Sequence, residues 1–158
     1  MIRIGFGFDT HRLADHHDFW LGGIRIDHEK GAVGHSDADV LVHAICDAML
    51  GAAGLRDIGN QFPDSSPDFR GIDSKILLGK TCELIKERSF SVINIDSTIV
   101  LQSPRISNRV PEMVSRLSEV MGISEDQLSV KAKTSEKLGF IGREEGVSAY
   151  AVCLLQRV

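Results

Sequence analysis

Two stretches near the start of the chain carry residue types that bind metals or move protons. Asp9 and His11 stand two apart at the end of a short apolar alternation, Ile2, Ile4, Phe6 and Phe8, so on a strand their side chains project to the same side. His43 falls inside a helical pattern, with Ser36, Asp39 and Asp47 placed around the same face. One carboxylate and two imidazoles are three borderline ligands, the set a catalytic zinc uses when its fourth position is left for substrate. The competing reading makes Asp9 a turn cap and His11 and His43 hydrogen-bonded core residues.

The six histidines, His11, His16, His17, His28, His35 and His43, all lie in the first 43 residues, which directs the search for chemistry there. Asp15-His16-His17-Asp18 reads as a solvated loop, because adjacent side chains diverge, and His28 between Asp27 and Glu29 reads the same way. His35 precedes Ser36, which the pattern Ser36-Asp37-Ala38-Asp39 marks as a helix N-cap in a capping box. Helix amides there could hold a phosphate oxygen together with His35 and Ser36, and plain capping by Ser36 is compatible with that role. The segment from Lys131 to Gly146 combines basic residues, hydroxyls and glycines without a Walker order; alone, it reads as a turn between strands. Gly-x-Ser-x-Gly, Cys-x-x-Cys and His-Glu-x-x-His are absent, which weighs against covalent hydrolase and common zinc-protease mechanisms.

The elements that must position these residues follow from periodicity. Strands are predicted over 2–8, 91–102, 129–134 and 147–156, with a second strand or bulged hairpin over 20–26 around Gly22-Gly23. Helices are predicted from about Asp37 to Ala53, from an Asp73 cap to Arg88, and from near Ser107 or Asn108 to Gly122 with Pro111 in the first turn. The stretch 55–72 lacks a steady period and reads as a functional loop. The order predicts a single α/β domain of α+β type over residues 1–158, with helices on one face of a mixed or antiparallel sheet. Little sequence is left to cover the other face, so self-association is expected.

Composition bounds the function. The chain has 158 residues, 42% hydrophobic and 25% charged, which is globular rather than disordered. With 18 basic and 22 acidic side chains the net charge is −4, so no basic field is available for nucleic acid. Cys46, Cys82 and Cys153 are an odd, widely spaced set and read as buried thiols in a reducing cytoplasm. The absence of a signal-peptide pattern or an 18-residue apolar span predicts a cytoplasmic protein without membrane partners.

Taken together, Gly5-Phe-Gly-Phe-Asp-Thr-His11, His35-Ser-Asp-Ala-Asp39, His43, Asp57-Ile-Gly59, Phe62-Pro-Asp64 and Glu136-Lys-Leu-Gly-Phe-Ile-Gly-Arg143 resemble, in order, the 2-C-methyl-D-erythritol 2,4-cyclodiphosphate synthase family. The resemblance implies a homotrimer with active sites between subunits, its sheets facing one another around the axis. It implies zinc on Asp9, His11 and His43, and magnesium or manganese held by the substrate diphosphate with Glu136. His35 and Thr134 match the transition-state stabilising positions. Substrate contacts are implied for Asp9, Thr10, His11, His35 and Ser36, for Asp57, Ile58 and Gly59, and for Phe62, Pro63, Asp64, Ser65 and Ser66 at the erythritol phosphate end. On the cytidine diphosphate side they are Leu101, Gln102, Ser103, Pro104, Arg105, Ile106, Ser107, Lys133, Thr134, Ser135, Glu136, Phe140 and Arg143. The implied reaction converts 4-diphosphocytidyl-2-C-methyl-D-erythritol 2-phosphate to the cyclic diphosphate with release of CMP. A zinc phosphohydrolase and a non-catalytic nucleotide- or isoprenoid-phosphate-binding trimer are the alternatives. Ser66 stands where the family usually has a carboxylate, Lys133 adds a charge, and the 15–19 loop is longer than the family pattern.

Overall fold

The computed structural model describes residues 1–63 and 65–158. β1 (Ile2–Asp15) is the longest strand and runs well past Phe8, so Asp9 and His11 sit within it rather than at its end. It pairs antiparallel with β7 (Gly146–Arg157), which places Asp9 opposite Ala149 and His11 opposite Val147. β2 (Phe19–Leu21) and β3 (Ile24–Ile26) form the expected hairpin, with Gly22 and Gly23 both at positive φ in the turn. β4 (Lys30–Val33) pairs with the far end of β1 and was not predicted; its four residues are too few for a period to show. β5 (Phe90–Val100) and β6 (Leu128–Lys133) complete a mixed five-stranded sheet in the order β4-β1-β7-β5-β6, with β5 and β6 parallel.

The three long helices lie on one face of this sheet, as predicted. α1 (Val40–Ala53) is apolar almost all round: eleven of its fourteen residues are buried, because it lies between the sheet and α3 (Ser74–Glu87). Gly5 and Gly7 let it settle directly onto β1; a Cβ on Gly5 would come within 1.9 Å of the Ala48 carbonyl oxygen. α4 (Val110–Met121) begins after a 3-10 turn at Ser107–Arg109, takes Pro111 in its first turn and ends at left-handed Gly122. The predicted loop over 55–72 contains α2 (Ile58–Gln61) and a 3-10 turn at Pro67–Phe69, and α5 (Gly139–Gly142) interrupts the glycine-rich connection before β7.

The start of α1 differs from the sequence expectation. Ala38 takes a left-handed φ of 58°, which stops helix geometry from beginning at Asp37. The N-cap is Asp39, whose carboxylate accepts from Val42 N, while Ser36 Oγ accepts from Ala38 N. His35 and Ser36 therefore stand four and three residues before the helix N-cap rather than at it.

The sheet's other face carries Ile2, Ile4, Phe6, Phe8, Tyr150 and Val152. Ile4 is 71% exposed and Phe6 64%, so one face of the strand alternation points away from the core. Among the described residues no helix is long and apolar enough to cross a membrane.

Candidate functional site

Asp9 and His11 project from β1 toward α1, and His43 reaches back to meet them. Asp9 Oδ2 lies 2.9 Å from His11 Nε2 and 2.9 Å from His43 Nδ1, and the two imidazole nitrogens approach to 3.1 Å. Asp9 Oδ1 accepts the Thr10 amide at 2.9 Å, which turns Oδ2 toward the histidines. A tetrahedral ion with bonds of about 2.0–2.1 Å spaces its ligand atoms by about 3.3 Å, close to the edges of this triangle. The donor set and its geometry therefore fit a divalent metal, and among the described residues this is the group of His, Cys, Asp and Glu that could hold one.

Electrostatics couple the three. Burial works against the Asp9 carboxylate, but hydrogen bonds and charge from His11 and His43 hold its pKa well below the usual carboxylate range. Burial also works against protonated His43, yet the Asp9 hydrogen bond and charge outweigh it and raise the imidazole pKa.

The triad forms one wall of a cleft of about 260 Å3 that also takes in His35, Ser36, Asp47, Ile58, Gly59 and Phe62. α2 is placed there by Asp47, one helical turn beyond His43, whose Oδ1 accepts the Ile58 amide at 2.7 Å. Asp57 caps α2; its carboxylate accepts from the Asn60 side chain and amide, which lower its pKa. Phe62 is buried and meets Phe69 edge-on at 5.5 Å. Pro63 and Ser65 are exposed and Ser66 is half-buried at the start of the following 3-10 turn. Asp64 lies outside the described residues.

A second cleft, of about 440 Å3, gathers Leu101, Gln102, Pro104, Arg105, Ile106, Ser107, Lys133, Thr134 and Glu136. Its two walls are joined where Lys137 N donates to Gln102 Oε1 at 3.0 Å, and Thr134 Oγ1 donates to Glu136 Oε1 at 3.0 Å. Ser103 and Ser135 belong to the same two loops without lining the cleft. Phe140 lines a third hollow with Thr10 and His11, and exposed Arg143 forms a two-pronged pair with Glu145 at 3.0 and 3.1 Å. Thr10 turns to the other face of β1, where its hydroxyl meets that of Ser148. Within one chain, then, His35 and Thr134 occupy separate clefts. His16, His17 and His28 line another surface hollow with Arg25 and Arg109.

Comparison with known proteins decides the relationship. The YgbB family model matches residues 2–156. The chain belongs to the YgbB family. A 2-C-methyl-D-erythritol 2,4-cyclodiphosphate synthase from Bacteroides fragilis is 58% identical over 157 residues, spanning 99% of each chain. The YgbB fold seen here also matches the bifunctional IspDF of Campylobacter jejuni with a TM-score of 0.96 at 39% identity, covering 100% of this chain and 43% of that longer one. It matches the IspF of Plasmodium falciparum in its CDP complex with a TM-score of 0.87 at 36% identity, covering 99% and 96%.

Ser74 has no site signal in the sequence, and Asp37 is legible there only as part of the helix start. Ser74 and Asp37 support His43 from behind, but Ser74 is 31 positions away and no local pattern links them. Asp47 was visible as a helix-face neighbour of His43, without its α2 partner.

Proposed function

We propose that this chain is a 2-C-methyl-D-erythritol 2,4-cyclodiphosphate synthase, one catalytic domain over 1–158, converting 4-diphosphocytidyl-2-C-methyl-D-erythritol 2-phosphate to the cyclic 2,4-diphosphate and CMP in non-mevalonate isoprenoid biosynthesis. The observation that carries this reading is the Asp9–His11–His43 triangle on the wall of a cleft, in a chain that matches a synthase of that name end to end.

An oxygen of the substrate's own 2-phosphate attacks the β-phosphorus; the bond from that phosphorus to the bridging oxygen breaks, and CMP departs with the electron pair. No protein nucleophile and no water enters. What the reaction needs is alignment of two groups that repel. Asp9, His11 and His43 would hold zinc, and Glu136 would help the substrate diphosphate hold magnesium or manganese; bound there, such ions would supply positive charge against that repulsion. His35 and Ser36 hold phosphate oxygens on one side, and Thr134 and Lys133 do so on the other. Asp57 to Gly59 and the loop from Phe62 to Ser66 enclose the erythritol end, while Leu101 to Ser107 receive the cytidine. Phe140 and Arg143 border that side.

His35 and Thr134 line different clefts of one chain, which supports a site completed by a neighbouring copy. The exposed apolar face of Ile4, Phe6 and Val152 provides the surface on which copies would meet, and a closed ring of three is the assembly this reading takes. A metal-dependent lyase of this kind works in the cytoplasm, consistent with three free thiols.

Phosphorus NMR with the substrate in oxygen-18 water tests the reaction. Cyclic diphosphate and CMP without added label are expected; label in the products shows a hydrolase, and no turnover shows a binding protein. Mixing tests the shared site. His43→Ala and Thr134→Ala chains, each inactive, should on joint refolding regain activity at about one site in four. A mixture that stays inactive despite proven exchange rejects the inter-subunit site.

A further inference from the structure

The distal nitrogen of His43 ends on two serine hydroxyls: Nε2 lies 3.0 Å from Ser36 Oγ and 3.0 Å from Ser74 Oγ. Ser74 is the first residue of α3 and is fully buried. Its amide donates to Asp37 Oδ2 at 2.9 Å, and its hydroxyl donates to Asp37 Oδ1. A carboxylate has only lone pairs to offer, so the one hydroxyl proton of Ser74 points at Asp37. Ser74 then presents a lone pair to His43, and Nε2 must be the donor. A neutral imidazole protonated at Nε2 carries its lone pair on Nδ1, the atom aimed at Asp9 and His11.

We propose that Asp37 and Ser74 are positioning residues which, as the relay Asp37–Ser74–His43, hold His43 in the tautomer a metal ion requires and set the affinity of the triad for that ion. The inference rests on the reading of the triad as a metal site. Asp37 is itself fixed: its amide donates to Ile72 O at 3.1 Å, and its Oδ1 also accepts the Asp39 amide at 3.2 Å. The relay thus ties the start of α3 and the loop before α1 to the ring of His43. Ser36 plays a different part. Its Oγ accepts from Ala38 N and keeps a proton of its own, so it can meet His43 Nε2 as donor or as acceptor and does not determine which nitrogen carries the proton.

The test measures zinc affinity by competition with a chromophoric chelator, together with the His43 Nε2–H signal in nitrogen-15 histidine-labelled, zinc-loaded protein. The wild-type chain should bind one zinc and show an Nε2–H protected from solvent exchange. Ser74→Ala should lose about 10- to 100-fold in zinc affinity and lose that protection, the cost typical of removing an outer hydrogen-bond partner of a metal-bound histidine. Asp37→Asn should weaken zinc in the same direction by less, and Ser36→Ala should stay within about 3-fold of wild type. Thermal unfolding establishes that each variant is folded; if Ser74→Ala is not, nearly isosteric Asp37→Asn decides. Wild-type affinity and a protected signal in the deciding variant overturn the relay alone. A wild-type chain that takes up no zinc overturns the metal reading and the relay with it.

Discussion

Gly7 on β1 lies so close to Ala44 on α1 that a Cβ placed on the glycine would stand 1.9 Å from the Ala44 carbonyl oxygen. Ala44 follows His43, and Gly7 precedes Asp9 by one strand repeat, so this contact sets the distance across which the triad closes. Gly7→Ala must push helix and strand apart, because the obstacle is backbone rather than a flexible side chain. A loss of about 3 kcal/mol or more is expected in denaturant unfolding, with reduced metal content in whatever folds. A variant with wild-type stability and metal content would show that the spacing is not critical.

The choice among six histidines is testable directly. His43→Ala removes one corner of a triangle whose edges are 2.9 to 3.1 Å and should abolish stoichiometric zinc binding and activity together. The double variant His16→Ala, His17→Ala changes exposed residues at the end of β1 and should leave both within experimental error. Metal analysis after gel filtration distinguishes the two.

Asp39 fastens the β2–β3 hairpin to α1. Fully buried, it accepts Gly22 N at 2.9 Å and Val42 N at 3.1 Å on Oδ1, and Gly23 N at 2.7 Å on Oδ2. Burial pushes its pKa up, against the pull of those three amides. Asp39→Asn keeps one acceptor oxygen but sets an N–H2 against another N–H, which should cost about 1–3 kcal/mol in chemical denaturation. An unchanged midpoint would mean that the hairpin is held by packing alone.

Opposite shifts at His43 and Asp9 define a pH window for the metal-free chain. The raised imidazole contributes stability that is complete below about pH 6.5 and is lost as pH rises through the folded pKa. The lowered carboxylate contributes stability present above about pH 4 and lost as pH falls through its folded pKa. Both contributions hold together at roughly pH 4 to 6.5. A metal ion needs the Nδ1 lone pair and competes with the proton there, so zinc affinity should rise with pH. Scanning calorimetry from pH 6 to 9 should show the zinc-induced gain in Tm growing; a shrinking gain would contradict the coupling.

The thiols should be inert in the native state. Burial pushes Cys82 and Cys153 up to about 12 and Cys46 further, leaving almost no thiolate at pH 8. A disulfide reagent should label none of them within minutes and all three after denaturation. Cys46 and Cys153 are buried, whereas Cys82, expected to be buried as well, is half-buried against the core; rapid labelling of any one would show that the packing around it opens.

Local pattern carried much of this molecule. The alternation of β5 and β7, the Asp73 cap of α3, the Pro111 start and Gly122 stop of α4, and the Gly22-Gly23 turn are decided within a few residues by backbone preference, and each was legible from the chain. So was the pairing of Asp9 with His11, because a strand puts every second side chain on one side. The ordered motifs also pointed to the family. The start of α1 was not legible: Asp39 outcompetes Ser36 as cap because the hairpin amides of Gly22 and Gly23 demand a buried acceptor, a need arising seventeen and sixteen residues upstream.

Tertiary structure decided which nitrogen of His43 faces the triad, since that depends on Ser74 and Asp37 arriving from another helix and another loop. It also separated His35 from Thr134 into two clefts, and it turned Ile4 and Phe6 outward. An alternating strand offers two faces, and its own residues cannot say which one the helices will cover. Here the glycines on the opposite face settled the matter, because only their side of β1 lets α1 approach closely enough for His43 to reach Asp9 and His11.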